Sequence, residues 1–217
     1  IVNRRQFFPF GFYCYSPVYP TLPEEEVVRG FNMISPYQKI IPETIQERKK
    51  YMDRCAQLGM KVHYNLLSVS GGGGVGSKME GYTSEQKREL LIKEIKTFMD
   101  HPALLAWYIA DEPTGNNVEP ETLEEIYKIV KETDPWHPVS IVFMVPFLSA
   151  KKYENAVDII MADPYPIPDL PASMVGDVAG KLKKEFHGEK PVWIVPQAFG
   201  GGELWGREPS IQEIRSM

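Results

Sequence analysis

The chain has 217 residues, 43% of them hydrophobic, 24% charged and 12% aromatic, with a formal net charge of −5. That length and balance fit one large globular domain with a substantial core. Lysines and arginines scattered among acids exclude a nucleic-acid footprint, and apolar runs of strand length fall short of the ~20 residues of a membrane span.

The chain begins at Ile1 without a methionine or a signal peptide, which reads as a processed or excised piece and leaves the compartment open. From there, short apolar runs alternate with helical patterns. A first strand over Phe10–Tyr15 runs into Tyr13–Ser16, and a short acidic link, Pro23 to Arg29, leads to a second over Phe31–Ser35. The helix Glu43–Leu58 carries Ile45, Met52, Cys55 and Leu58 on one side, and Gly59 stops it. Lys61–Leu67 is the third strand. The stretch Ser70 to Lys78, SGGGGVGSK, resembles a phosphate loop, but Ser77 separates Gly76 from Lys78; the spacing predicts a flexible loop over the sheet's end. A helix over Ser84–Asp100, with Ser84 as N-cap, precedes the fourth strand, Leu105–Ala110. The helix Glu121–Thr133 presents Leu123, Ile126, Tyr127 and Val130 at stripe spacing, followed by strands Val139–Phe143 and Asp158–Ala162. The helix Ala172–Phe186, a seventh strand over Pro191–Val195, the loop Gly200 to Arg207 and a last helix from Pro209 complete the order. Cys14 on a strand and Cys55 on a helix face allow one disulfide at most, and are expected to stay unbridged.

Several strands lack polar alternation, as parallel strands covered on both faces do. Seven in βα alternation predict an open doubly wound sheet or a (β/α)₈ TIM barrel. No Gly-x-Gly-x-x-Gly turn follows the first strand. Polar and aromatic residues cluster after nearly every strand, and a barrel gathers all such ends around one site. The expectation is therefore a single barrel domain over 1–217, truncated after the seventh strand, whose two unclosed edges invite association.

The segment Leu104 to Pro113 carries the chemistry: an apolar run ends in Asp111 and Glu112, and a proline stops it. A carboxylate at the rim of a core needs partners or a task. Strand alternation puts Tyr108, Ala110 and Glu112 on one face and Trp107, Ile109 and Asp111 on the other, so Glu112 points to the mouth unless a bulge intervenes. His63, His101, His137 and His187 show no metal-ligand spacing, and the last two strand-start histidines, His101 and His137, sit where a barrel has its bottom. No lysine ends a strand, which disfavours Schiff-base chemistry.

On these residues a resemblance becomes specific. Trp107 to Pro113, WYIADEP, resembles the fourth strand of clan A barrel glycoside hydrolases, whose strand ends in Asn-Glu. The segments Phe7 to Tyr15, Tyr51 to Asn65 and Lys190 to Gly200 are similar to other parts of the same barrel. The resemblance implies cleavage of a glycosidic bond in an oligo- or polysaccharide, with Glu112 as general acid/base, Asp111 where the Asn stands, no metal or organic cofactor, and a secreted or periplasmic location. It also implies a Glu nucleophile after strand seven, where this chain has Gln197. A second carboxylate is then sought in Asp163, ahead of Asp111 and Glu203, with Asp163 as base of an inverting pair and Gln197 holding water or a sugar hydroxyl. Tyr13, Tyr15, Tyr37, Tyr64, Asn65, Tyr165, Trp193 and Trp205 are candidate sugar contacts, Trp205 foremost and Trp193 last. The alternative is a carbohydrate-binding pseudoenzyme that keeps the cleft without the nucleophile.

Overall fold

A computed structural model describes residues 6–15, 22–74, 77–144, 150–202 and 204–217. Seven parallel strands pair in chain order: β1 (Gly11–Tyr15), β2 (Met33–Tyr37), β3 (Lys61–Asn65), β4 (Leu104–Asp111), β5 (Val139–Phe143), β6 (Ile159–Ala162) and β7 (Val192–Ile194). Helices α1 (Leu22–Val28), α2 (Ile45–Gln57), α3 (Leu67–Ser70), α4 (Ser84–Phe98), α5 (Pro120–Thr133), α6 (Met174–Glu185) and α7 (Ile211–Ser216) lie among the connections. The sheet is curled. His63 of β3 meets Trp193 of β7 at a ring separation of 5.9 Å, although four strand spacings of ~4.8 Å would hold them about 19 Å apart in a flat sheet. Tyr13 of β1 likewise reaches Tyr108 of β4 at 5.9 Å. The result is the truncated TIM-barrel half that the strand order predicts; among the described residues no strand joins β7 to β1.

Alternation divides the side chains into two layers. Ile34, Val62, Tyr64, Trp107, Val139, Ile141 and Ile160 pack outward beneath the helices, against Met52, Leu91, Ile95, Phe98, Val130 and Leu182. Ala106, Tyr108, Val142, Ile159 and Met161 fill the inside with Tyr13, Tyr37 and Trp193. Two buried polar links brace the outer layer. The Arg48 guanidinium of α2 donates to Glu94 of α4 through Nε (2.6 Å) and Nη2 (2.9 Å), and Glu94 also accepts from the Tyr64 hydroxyl. At the strands' N-terminal end, Asp134 accepts from Trp107 Nε1 at 2.8 Å and pairs with His137 Nδ1 at 2.7 Å. His101 pairs there with Asp53 at 3.2 Å. Cys14 and Cys55 are buried, and no disulfide joins them.

Several boundaries differ from the sequence reading. The second strand is Met33–Tyr37 rather than Phe31–Ser35, because the Asn32 side chain is spent on Phe10 N and Phe8 O ahead of it. The third strand stops at Asn65, whose Oδ1 accepts from Leu67 N at 2.9 Å and turns the chain into α3. Thr83, not Ser84, caps α4, in a capping box with Gln86. Among the described residues no helix is long and apolar enough to cross a membrane.

Candidate functional site

The C-terminal ends of β1, β2, β3, β4 and β6 bring Tyr13, Tyr37, Asn65, Tyr108, Asp111, Glu112 and Asp163 toward one mouth. The way β4 delivers its two acids differs from simple alternation. The β4–β5 register shifts between Tyr108 and Ala110, and Ile109 and Ala110 both belong to the outer layer. Asp111 thereby turns inward, where its Oδ2 accepts from the Tyr37 hydroxyl at 3.2 Å. The expectation that Ala110 and Glu112 share the inner face is corrected by this bulge.

The bulge is held from outside the strand. Ser70 Oγ donates to Ile109 O, and Gly72 O accepts from Asp111 N at 3.1 Å, so the groups left unpaired by the shift find partners in the glycine-rich loop. A Cβ on Gly72 would fall 2.0 Å from Ile109 O, and one on Gly74 would fall 2.4 Å from Asp111 Cβ. Gly71 to Gly74 are therefore a strap laid along β4, not a loop spanning the mouth. Glycine is what permits that approach.

Glu112 follows with φ of 49°, in the left-handed region that costs a side-chain-bearing residue roughly 1–3 kcal/mol. Its N–H donates to Val142 O at 2.9 Å, and Asn116 Nδ2 donates to both Asp111 O and Glu112 O at 3.1 Å. Three hydrogen bonds fix a strained backbone, and the half-buried carboxyl is brought beside Asp163.

Asp163 directly follows β6 and is 6% exposed. Burial, the charges of Glu112 and Asp111, and a hydrogen bond with Glu112 push its pKa well above the usual carboxylate range. Its Oδ1 is buried without an N–H or O–H donor. Burial first, then the Glu112 charge, also raises Asp111, against the phenols of Tyr108 and Tyr37. The Tyr108 hydroxyl lies against Asp111 without an aligned hydrogen bond, and the Tyr13 hydroxyl and Asn65 Nδ2 are buried donors with no partner. The Tyr13 hydroxyl faces Asp111 and Asp163, and an unspent donor beside buried acids marks a place built to receive something polar.

The floor is uncharged. His63 is fully buried between Ser35 (Nδ1 to Oγ, 3.0 Å) and Ser140, stacked on Tyr108 at 4.8 Å, and burial lowers its pKa to about 3. Beside Asp163, Tyr165 packs edge-on against Phe199 (4.9 Å) and Trp205 (5.9 Å), which meet each other at 5.0 Å. Phe199 is 39% exposed, so this aromatic group is open on one side.

Two expected members are elsewhere. Tyr64 points outward, fully buried on Phe98 and Trp107 and bonded to Glu94, because it alternates with His63 and Asn65. Gln197 is 1% exposed and is spent on backbone: Oε1 accepts from Ile167 N at 2.8 Å, and Nε2 donates to Ile167 O at 3.1 Å and Phe199 O at 3.0 Å. It clamps the loop after β6 and has no N–H left for water or sugar. The side chain of Tyr15 and all of Glu203 lie outside the described residues. Residues that the sequence reading missed are Tyr108 and Phe199, and His63 beneath them; the inward parity of positions 63 and 65 with 108 was their only signal. A shallow hollow on α4 lined by Glu89, Ile92, Lys93, Lys96 and Thr97 lies on the solvent side of the helix, away from these groups. Among the described residues no three His, Cys, Asp or Glu side chains are grouped to hold a metal ion.

No family model and no curated protein matches this sequence. Solved structures are similar in fold. One is the polyextremophilic β-galactosidase of the Antarctic haloarchaeon Halorubrum lacusprofundi, at TM-score 0.71 and 13% identity over 96% of this chain and 50% of that one. Another is a GH2 β-galacturonidase from Eisenbergiella tayi bound to galacturonate, at TM-score 0.67 and 17% identity over 92% of this chain and 37% of that one. A third, the β-galactosidase of the psychrophilic Marinomonas ef1, gives TM-score 0.65 and 12% identity over 94% and 50%. The chain thus spans between 37% and 50% of the length of these neighbours, which are glycoside hydrolases, and what it shares with them is the fold.

Proposed function

We propose that the mouth hydrolyses a glycosidic bond in an oligo- or polysaccharide, with Asp163 and Glu112 as its carboxyl pair. The observation that carries this reading is the contact between them: a buried acid, raised by burial and by two acidic neighbours, is hydrogen-bonded to an acid at the open rim. Cleavage requires one group that gives a proton to the leaving oxygen and one that acts on water or on the sugar carbon. A pair holding one proton meets both needs. Asp163 carries the proton in the resting site and is the better donor, which exchanges the roles expected from the resemblance. When Asp163 gives its proton to the glycosidic oxygen, Glu112 takes one from the attacking water and the pair again holds one.

Two hydrogen-bonded carboxyls leave no room between them for the water or sugar carbon that a retaining (~5 Å) or inverting (~6.5–9.5 Å) pair accommodates, so substrate entry must part them. Tyr165, Phe199 and Trp205 offer aromatic faces for the sugar's C–H faces, and Asp111, Tyr13, Tyr37 and Asn65 offer partners for hydroxyls. The test is turnover of a panel of aryl glycosides. Glu112→Gln and Asp163→Asn are expected to lower kcat/KM about 10³-fold or more while the circular dichroism spectrum is unchanged. Full activity in either variant rejects the pair.

The carbohydrate-binding reading rests on Gln197, an amide engaged by backbone where the resemblance has a nucleophile. Sugar affinity without turnover, unchanged by Glu112→Gln, would establish it instead.

A further inference from the structure

We infer that the glycosyl group taken by this mouth carries no negative charge: it is a neutral or amine-bearing sugar, and uronates are rejected. The inference rests on the hydrolytic reading above and adds the substrate class. Three carboxyls, those of Asp111, Glu112 and Asp163, meet here, and every group described as acting on Asp111 or Asp163 is an acid or a phenol: Glu112 with Tyr37 and Tyr108 for the first, and Glu112 and Asp111 with Tyr165 for the second. The cations with described contacts are engaged elsewhere. Arg48 is in the outer layer with Glu94, and Lys61 donates to Pro102 O below the strands. Lys190 donates to Glu154 O and Val157 O. Arg207, in the loop after β7, is held as a fork by Glu213 at 2.7 and 2.8 Å. Lys39 and Lys78 are exposed on loops.

A second observation indicates what the ligand offers instead of charge. Asn65 is 1% exposed, and its Nδ2 is a buried donor without an acceptor; the Tyr13 hydroxyl is another. Both are neutral. A sugar hydroxyl accepts from the Tyr13 hydroxyl and donates to Asp111, satisfying both at once, because a hydroxyl has one proton and two lone pairs. A uronate carboxylate accepts only. It would find uncharged donors on one side and the acids Asp111 and Glu112 on the other, with no guanidinium or ammonium acting on Asp111 or Asp163 among the described residues to offset the repulsion. A sugar amine, protonated at neutral pH, would be drawn to the same acids.

The test uses methylumbelliferyl glycosides in pairs differing only at C6, glucoside against glucuronide and galactoside against galacturonide, in both anomers, with the glucosaminide added. The expected kcat/KM for each uronide is at least about 100-fold below that of its neutral partner, the scale of one like charge about 5 Å from another inside a protein surface. Asp111→Asn should narrow that ratio about tenfold, a readout within one protein that a general loss of activity does not move. Uronides turned over as well as their neutral partners would overturn the charge inference and leave hydrolysis standing. A protein that turns over none of the panel loses the hydrolytic reading, and calorimetric titration with glucose and glucuronate then decides charge preference by itself: equal or tighter binding of glucuronate overturns it.

Discussion

Glu94 and Asp163 are both buried acids, 3% and 6% exposed, and they sit on opposite sides of the same sheet. Glu94 receives two N–H bonds from Arg48 and one O–H bond from Tyr64, so that each of its oxygens has a donor. Asp163 has no cation among its described neighbours: Glu112, Asp111 and the Tyr165 phenol act on it, and its Oδ1 has no donor. The difference separates a charge that holds α2, α4 and β3 together from an acid kept where burial disfavours its charged form. Folding explains the first; the second calls for a task, since an uncompensated buried acid lowers stability.

Removing a partner from each side sharpens this contrast. Arg48→Ala leaves Glu94 buried and unpaired, and is expected to lower the free energy of unfolding by about 3–5 kcal/mol in urea titration. The paired replacement Arg48→Met with Glu94→Leu should recover most of that loss. If Arg48→Ala costs under about 1 kcal/mol, the outer pair is not the brace described here.

The next expected effect is on pH dependence. The folded-state pKa of Asp163 is raised, so its contribution to stability is fully present below the unfolded value of about 4 and is lost as pH rises through the folded one. Asp163→Asn should remove that decline, and the melting temperatures of the two proteins should diverge between pH 4 and neutrality in the variant's favour. His63 works in the opposite sense: its pKa is lowered to about 3, so its share is present above about 6.5 and fades as pH falls. That term is common to both proteins and cancels in the comparison. Parallel curves would refute the assignment of a buried, proton-holding acid at position 163.

The smallest effect is expected at Gln197. Glu there keeps an acceptor and loses the two N–H bonds to Ile167 O and Phe199 O, a cost of about 1–3 kcal/mol. Gln197→Glu should therefore lower the melting temperature without raising turnover. A gain in activity would mean that the position is a lost nucleophile rather than a loop clamp.

The strand order and the curl of the sheet were legible in the βα alternation, and the two acids of β4 in the abrupt end of an apolar run. What stayed hidden has a common physical cause. Tyr64 and Asn65 lie on a strand buried on both faces, so hydrophobicity carries no trace of which residue points in. The inward turn of Asp111 depends on Ser70 and Gly72, about 40 residues earlier, whose hydrogen bonds allow the register to slip. The role of Gln197 depends on a loop 30 residues away. Local pattern reports periodicity, and each of these facts is a long-range hydrogen bond.

The slip in β4 has a consequence for how densely a strand can be equipped. A regular strand sends neighbouring side chains to opposite faces, so of two consecutive acids only one can serve a given cleft. Here the extra residue turns Asp111 inward, and the left-handed backbone at position 112 then brings the next carboxyl to the same cleft. Two adjoining codons thus furnish two acids to one site, and a single further strand supplies the third. A half-barrel of seven short strands can in this way assemble a triply acidic site from very little sequence, provided that a run of glycines without side chains lies alongside to hold the irregularity in place.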